Sequence, residues 1–566
     1  MTPLSIQDQP VSPISKLDNY LLWLIFSINS VWSEDRVRTA VYKHPKNALT
    51  TTRRSSQVCS FWRAILLASP KIWGNCIDVG MPGWQSTEWR DEVIRRTGKA
   101  LLSVYNTGDH RIALNTSQRT FVLYLIQNHW RRIRVFHVVL RSAEVFNDPI
   151  ARNAFASPAP NLEVFSMESN SDSSIIIHFE KDTYLFGNDA PVLTKFAMFN
   201  DPLIYIKRRP FPAVLRTASL RHLHLCFGTR TEVAIGDILS SCRQIRCLEE
   251  LTLEMYCHTE NAHPPSSSII LPNLRLIQVR HRGIEMYSGF LARINAHAEC
   301  ILRIISYLDY VAQNPGIEDM QHVLARYTNT FFYRHMNNPK GVREFDLSMQ
   351  LRGSRGDLTV TLETDKYTEN SFYEIHSFPS NSLCGLLDAI SSFNNFPNTI
   401  VCARLYLSNI ARIYVGPPPE YQHLGNIDPP ICASFLKLFQ ALVSISDLTT
   451  NIDGLLALFR MTDYLAYIPF PLLQTIHLQS QYRPCQFKIS QLDFWNGVME
   501  PFLNLRQLLH AAPVKTLSLG EDRHSLDLKN LQCLDRFVGL KVVWKNADGE
   551  VTEYICGHIN SNELLL

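Results

Sequence analysis

The residues with chemical potential are few and scattered. His222 and His224 form a His-x-His pair, a spacing that could open a metal site. They alternate with Leu223 and Leu225, so in a strand both imidazoles lie on one face, and no third ligand stands near them in the sequence. That alternation reads as polar groups on a solvated strand face. Cys242 and Cys247 miss zinc spacing and read as small core hydrophobes. Glu249-Glu250 reads as surface rather than as an acid–base pair. Two basic clusters, Arg131, Arg132 with Arg134 and Lys207-Arg208-Arg209, read as solvated surface, with phosphate or phospho-target recognition as the alternative. Gly-x-Gly-x-x-Gly, P-loop, His-Glu-x-x-His and Gly-x-Ser-x-Gly motifs are absent. The sequence therefore assigns no catalytic residue, no metal ligand and no cofactor.

Composition agrees with a chain that grips rather than reacts. Of 566 residues, 46% are hydrophobic and 19% charged, enough for large cores and too little charge for disorder. The 55 Lys and Arg against 52 Asp and Glu leave +3, without the broad positive field of a nucleic-acid binder. The 23 glycines, against a usual share of about 7%, weigh against phosphate-cradling loops. Thirteen scattered cysteines without a Cys-x-x-Cys pair argue for free thiols in a reducing cytosol or nucleus. The N-terminus lacks a signal-peptide pattern. The longest apolar run, Tyr20 to Ile28, falls far short of the ~20 residues that span a bilayer, so neither membrane nor nucleic acid is an expected partner.

The elements that would position any site are set by a repeat. An apolar pattern, L-x-x-L-x-L in outline, recurs as Ile133-x-x-Phe136-x-Val138, Leu162-x-x-Phe165-x-Met167 and Leu193-x-x-Phe196-x-Met198. It continues as Leu220-x-x-Leu223-x-Leu225, Leu248-x-x-Leu251-x-Leu253 and Leu274-x-x-Ile277-x-Val279, the first positions 29, 31, 27, 28 and 26 residues apart. Later copies are Val342-x-x-Phe345-x-Leu347, Leu473-x-x-Ile476-x-Leu478 and Val514-x-x-Leu517-x-Leu519. The last two apolar residues of each copy share a strand face, and Pro160, Pro191, Pro272, Pro471 and Pro513 sit just upstream of a strand, where a missing donor is tolerated. Helical spacing lies between: Ile235, Ile238, Leu239, Cys242; Phe290, Leu291, Ile294; Phe435, Leu438, Phe439, Leu442. One strand and one helix per ~28 residues is the logic of a leucine-rich repeat. Only Asn170 supplies the usual Asn or Cys at the ninth position, so an irregular array is expected, with long insertions after Val279.

Residues 14 to 79 differ in character. Leu17, Leu21, Ile25 and Ile28 mark one helix face, widened by Leu22, Trp23 and Phe26. A second helix is expected from Ser56 to Ala68, with Ser55 as N-cap, a Val58, Trp62, Ile65 stripe and Pro70 as its stop. So small a module cannot bury these groups alone; it covers one end of the repeats or meets a partner.

The stretch Ile14-Ser-Lys-Leu17-Asp-Asn-Tyr-Leu21-Leu22-Trp-Leu-Ile25-Phe26 resembles the first helix of an F-box, and Val58-Cys59, Trp62-Arg63, Ser69-Pro70 and Trp73 resemble its later part. Ile77-Asp78-Val79, Trp89 with a short charged helix to Gly98, and Leu101-Leu-Ser103-Val104 are similar to the arrangement in large F-box families of mushroom-forming (basidiomycete) fungi. Asp18 replaces the family's Pro, and Val37 to Thr52 reads as a polar insertion where the family has a short second helix.

The resemblance implies an α/β chain: a flexible tail (1–13), an F-box-like helical module (14–79), a connecting or capping segment (80–129) and an irregular leucine-rich-repeat-like solenoid with insertions (130–566). It implies a non-enzymatic substrate receptor of a Skp–cullin–F-box ubiquitin ligase, cytoplasmic or nuclear. The adaptor, and through it cullin, would dock on Leu17, Leu21, Leu22, Ile25, Phe26, Val58, Cys59, Trp62 and Arg63, while the repeats hold an unidentified target. Trp73 and Trp89 would pack the module against the repeats. The competing readings are a binding scaffold of the same fold outside ubiquitin transfer and an enzyme with an unrecognised site.

Overall fold

The structure, a computed structural model, describes residues 17–30, 48–80, 86–106, 114–140, 148–169, 185–199, 219–227, 235–255, 268–281, 285–297, 300–306, 322–327, 344–352, 355–363, 369–379, 402–408, 429–465, 467–479, 495–519, 528–545 and 550–557, with a few isolated positions between them. The chain divides into two compact units, Met1–Leu274 and Arg275–Leu566, each taken by itself.

Among the described residues the first unit opens with four helices: α1 (Asn19–Ser30), α2 (Ala48–Ser55), α3 (Ser60–Leu67) and α4 (Pro70–Gly74). Asp18 starts α1: its carboxylate accepts the Leu21 N–H at 2.7 Å, satisfying one of the orphan donors of the first turn. The acid thus does for the helix start what a proline there would do by shape. The expected single helix from Ser56 is corrected. Ser55 ends α2, residues 56–58 turn, and the Cys59 sulfur caps α3 by accepting the Trp62 N–H at 3.4 Å. Residues 48–52 of the expected insertion are helical, in α2; residues 37–47 lie outside the described residues, as does the tail 1–13. Pro70 begins α4 at its first position, where a proline's missing N–H would be unpaired anyway.

Strands then follow, with a helix between most of them: β1 (Ile77–Asp78), α5 (Thr87–Thr97), β2 (Leu102–Tyr105), α6 (Thr116–His129), β3 (Ile133–Leu140), α7 (Pro149–Phe155), β4 (Val164–Ser169), β5 (Lys195–Phe199), β6 (His222–Phe227), α8 (Ile235–Cys242) and β7 (Glu250–Met255). Caps mark the helices. Ser86 accepts the Trp89 N–H to start α5, and Gly98, at φ 47°, ends it in a conformation that other residues resist. Asn115 and Gln118 form a reciprocal capping box on α6, each side chain bonding the other's backbone N–H at 2.9 Å.

Each of these seven strands pairs in parallel with the next, and the repeat positions fall into strict register. One row runs Ile77, Val104, Phe136, Phe165, Phe196, Leu223, Leu251; the next runs Val138, Met167, Met198, Leu225, Leu253. All are buried. Phe136, Phe165 and Phe196 stack at 5.7 Å intervals, and Trp130, Phe155 and Phe186 close on them edge-on. The ladder begins at Ile77, earlier than the repeat pattern announces. The opposite face is covered too at the first rungs: Tyr105, His137, Ser166 and Ala197 share a row and are buried, whereas His224 and Thr252 beyond them are half-exposed.

The second unit carries its own ladder. β8 (Leu276–His281) and β9 (Ile301–Ser306) are parallel, with α9 (Glu285–Leu291) between them in the chain. The long insertions expected after Val279 take a definite form: β10 (Glu344–Arg352), β11 (Arg355–Glu363) and β12 (Glu369–Pro379) make an antiparallel meander. β12 lies parallel to β9, and β10 parallel to β13 (Cys402–Ser408), so the intruding strands complete the ladder instead of leaving it. Parallel rungs resume through β14 (Asp447–Thr450), β15 (Thr475–Leu478), β16 (Thr516–Leu519) and β17 (Lys541–Lys545), and β18 (Val551–Ile555) folds back antiparallel on β17. Helices α10 (Pro429–Ala441), α11 (Ile452–Leu465) and α12 (Glu500–Leu508) lie between them in the chain. The buried rows are Ala403, Leu448, Ile476, Leu517, Val542 and Leu405, Thr450, Leu478, Leu519, Trp544. Thr450 is admitted to an apolar row because its hydroxyl donates to the Leu405 carbonyl at 2.7 Å.

Candidate functional site: an apolar face on the N-terminal helices

Helix α1 carries no charged residue and has two apolar stripes. Leu22 and Phe26, four apart, form a core with Leu66 of α3 and Ile72 of α4, against which Leu17, Trp23, Trp62 and Ile65 pack. The other stripe is Leu21, Leu24, Ile25 and Ile28, at i, i+3, i+4 and i+7, and these residues are 41%, 37%, 41% and 55% exposed. A helix in water ordinarily turns such a stripe inward. On α3 and in the turn before it, Phe61, Leu67 and Val58 are exposed as well.

The nine residues assigned to the adaptor face therefore separate. Leu21, Ile25, Val58, Cys59 and Arg63 are exposed and available. Leu17 and Trp62 are half-buried at the edge; the Trp62 ring meets Phe26 edge-on at 5.0 Å. Leu22 and Phe26 point into the module, with 1% and 5% exposure, and shape the face from beneath without reaching a partner. Leu24, Ile28, Phe61 and Leu67 belong to the surface although no motif marked them. Ile28 was readable from its helical spacing to Leu21; the others needed the packing.

The helices are tied to the first rungs by a chain of aromatic and cationic groups. Trp73 is buried, and its indole N–H donates to the Leu66 carbonyl at 2.8 Å. The Arg96 guanidinium of α5 lies 4.4 Å from the Trp73 ring centre and 6.0 Å from that of Trp89; Arg53 of α2 covers Trp89 at 5.5 Å. Glu92 binds both Arg95 and Arg96 at 2.7 Å, and these two hydrogen bonds lower its carboxyl to about 2. At Gly74 a Cβ would stand 2.4 Å from the Leu101 carbonyl oxygen, so glycine lets the end of α4 touch the chain entering β2. Trp73 and Trp89 thus both take part in the joint.

The remaining polar motifs are absorbed by the fold. Arg132 donates to the Ala100 carbonyl at 2.8 Å and to Thr97 Oγ1 at 3.0 Å, and Arg134 to Asn75 Oδ1 at 3.0 Å, so two of the three arginines in that cluster are engaged within the fold. His222 faces Glu250 at 2.9 Å and His224 faces Glu254 at 3.0 Å across β6 and β7; Arg221 bonds Glu249. Cys242 is buried, and burial pushes its thiol up to about 12. Among the described residues no three His, Cys, Asp or Glu side chains converge as metal ligands would. Lys207-Arg208-Arg209 and Asn170 lie outside the described residues. Also among the described residues, no helix is long and apolar enough to cross a membrane. In the second unit the row Arg404, Thr449, His477, Ser518 is half-exposed and offers a polar surface on the sheet.

Buried apolar rows in parallel register give the first unit a ladder of parallel strands that fits a repeat solenoid, with a helical module at its start. No protein-family model matches the chain, and no curated protein matches it. Among solved structures it is similar to the leucine-rich repeat-containing protein LegL7 from Legionella pneumophila, at 14% identity, over 64% of this chain and 95% of that one, with a TM-score of 0.23. At that score the likeness carries no argument, and the repeat assignment stands on the strand register.

Proposed function

We propose that the protein is a substrate receptor of a Skp–cullin–F-box ubiquitin ligase. The N-terminal helices dock on a Skp-type adaptor and through it on cullin, and the sheet of repeats holds a target protein. The receptor performs no bond chemistry; it works by raising the effective concentration of target lysines near a charged conjugating enzyme. The observation that carries this reading is the second apolar stripe of α1, which the fold leaves in solvent. Helix-borne apolar anchors at such spacing are what a groove on another protein receives. The motif resemblance around Trp62, Arg63 and Trp73 supports the same partner.

Affinity purification with mass spectrometry is the test. Adaptor together with cullin supports the receptor. Repeat partners without cullin point to a scaffold outside ubiquitin transfer. Neither, with a bound small molecule instead, points to an enzyme. Leu21→Asp and Ile25→Asp are the clean variants because both side chains are exposed; each is expected to abolish adaptor capture while circular dichroism stays unchanged. Trp62→Ala removes an anchor and also the ring that packs on Phe26, so it is expected to lose both binding and module stability.

A further inference from the structure

The turn 97–101 is where α4 rests. A Cβ added at Gly98 would stand 3.8 Å from the Pro70 ring, and one at Gly74 would press on the Leu101 carbonyl, so both ends of the helix touch the turn. Arg132, just before β3, fastens the same turn. Its Nε–H and one terminal nitrogen both donate to the Ala100 carbonyl, at 3.1 and 2.8 Å, and that nitrogen also reaches Thr97 Oγ1 at 3.0 Å. Its other terminal nitrogen donates to Nδ1 of His129, the last residue of α6, at 3.3 Å. A guanidinium has no acceptor, so this bond fixes the imidazole as the neutral tautomer with its proton on Nε2. That Nε2 is buried and, among the described residues, has no partner.

At the C-terminus of a helix an imidazole ordinarily gains from carrying a charge. Here burial, and after it the Arg132 cation, hold the His129 pKa below the ordinary 6.5. The titratable or charged groups in contact with the ring are Arg132 and, on α6, Tyr124, which meets it edge-on at 5.6 Å. Arg131 beside Arg132 and Lys99 of the turn 97–101 are exposed, and among the described residues no carboxylate pairs with His129 or Arg132. We infer that His129 and Arg132 form an acid-sensitive latch. Neutral His129 keeps the guanidinium on the turn 97–101; a proton taken from water at Nδ1 sets donor against donor and cation against cation, and the guanidinium leaves the turn. Arg132 is the side that yields, because Tyr124 holds the imidazole and the arginine stem has more rotatable bonds. The fold favours the neutral ring, so the latch is closed above pH 6.5 and opens as the pH falls through the lower value of the folded chain. What opens is the seat of α4, so the attachment of the helical module to the first rungs depends on pH, whether or not that module meets an adaptor.

The experiment follows amide hydrogen exchange of the full-length chain by mass spectrometry between about pH 7.5 and about pH 5, a window that spans imidazole titration, with rates corrected for intrinsic exchange. The reporting peptide covers residues 95–102, where the Gly98 and Ala100 N–H groups donate to the Arg95 and Thr97 carbonyls. His129→Asn is the variant, because an asparagine side-chain oxygen can take the place of Nδ1 and accept from Arg132 at every pH. The wild type is expected to lose protection in this peptide about tenfold or more on acidification, and His129→Asn to keep it. The wild-type midpoint is expected below 6.5. In NMR of ring-labelled histidine, the resonance that vanishes in His129→Asn is expected to titrate at that same midpoint. Equal loss of protection in wild type and variant overturns the inference, as does a His129 ring that titrates at or above 6.5. If the variant is open already at neutral pH, the wild type alone decides: a ring and a peptide with one midpoint uphold the latch, and different midpoints overturn it.

Discussion

Leu21 and Leu22 are neighbours in the chain with opposite surroundings, and the difference is measurable. Leu22 is part of the core that joins α1 to α3 and α4; Leu22→Ala is expected to cost about 2–5 kcal/mol in denaturant unfolding of the module. Leu21→Ala is expected to change stability by no more than about 0.5 kcal/mol and yet to weaken adaptor capture at least tenfold. The cysteines allow a second check at this scale. Cys76, Cys242 and Cys300 are buried, and desolvation pushes each thiol up to about 12, whereas Cys59 and Cys247 are exposed. A maleimide probe on the native chain is expected to label Cys59 and Cys247 and to spare the other three until the protein unfolds. Bound adaptor is expected to protect Cys59 and not Cys247; equal labelling of Cys59 with and without adaptor would place the contact elsewhere.

At the scale of the element, α5 shows how a short charged helix is made useful. Its face toward the core carries Val93, Ile94 and Thr97, and Arg96 reaches back to Trp73. Glu92 stabilises that arrangement only while ionised. Its carboxyl is held at about 2 in the folded chain, against the ordinary 4.5, so the folded state favours the charged form. The contribution is therefore present above pH 4.5 and is lost as the pH falls toward 2. Acid unfolding followed by tryptophan fluorescence is expected to show this limb, and Glu92→Gln to flatten it. Sequence made much of this level legible. The stripes of α8 and α10 followed from spacing, and a short charged helix ending at Gly98 from the resemblance. The break at Ser56 to Val58 did not, because the Val58, Trp62, Ile65 spacing continues across it and only Cys59 reveals a new start. The exposure of Leu24 and Leu67 was equally hidden: periodicity says that a helix is apolar, and packing alone says on which side it is covered.

For each unit as a body, the register of the rungs is what converts short, weak strands into a stable sheet. Phe165 illustrates the point, lying between Phe136 and Phe196 with Phe155 and Phe186 against it. Phe165→Ala is expected to cost about 3–5 kcal/mol, read as a lowered denaturation midpoint, because the cavity opens to three rungs together. Six near-evenly spaced copies announced this ladder, and their middle residues fell into one row wherever the first unit pairs them. Rungs without the full pattern were not announced: Cys402–Ser408 presents Ala403 at its core position, and Asp447–Thr450 presents Thr450, a residue made acceptable by a hydrogen bond to the neighbouring strand. Of the meander of 344–379 only the first strand was visible, through Val342-x-x-Phe345-x-Leu347; the antiparallel partners pair through backbone atoms that leave little trace in side-chain type.

The joint at Trp73, Arg96 and Trp89 has a mechanical consequence. Adjacent strands are spaced about 4.8 Å apart, so any rotation between the helices and the first rung would be multiplied along the sheet as along a lever, with the largest sweep at the far rungs. Clamping one guanidinium between two indoles, with backbone pressed against backbone at Gly74, removes that pivot. Anything that gripped the helices would then aim the first unit's sheet, and the direction of the aim is set by a handful of side chains at the joint.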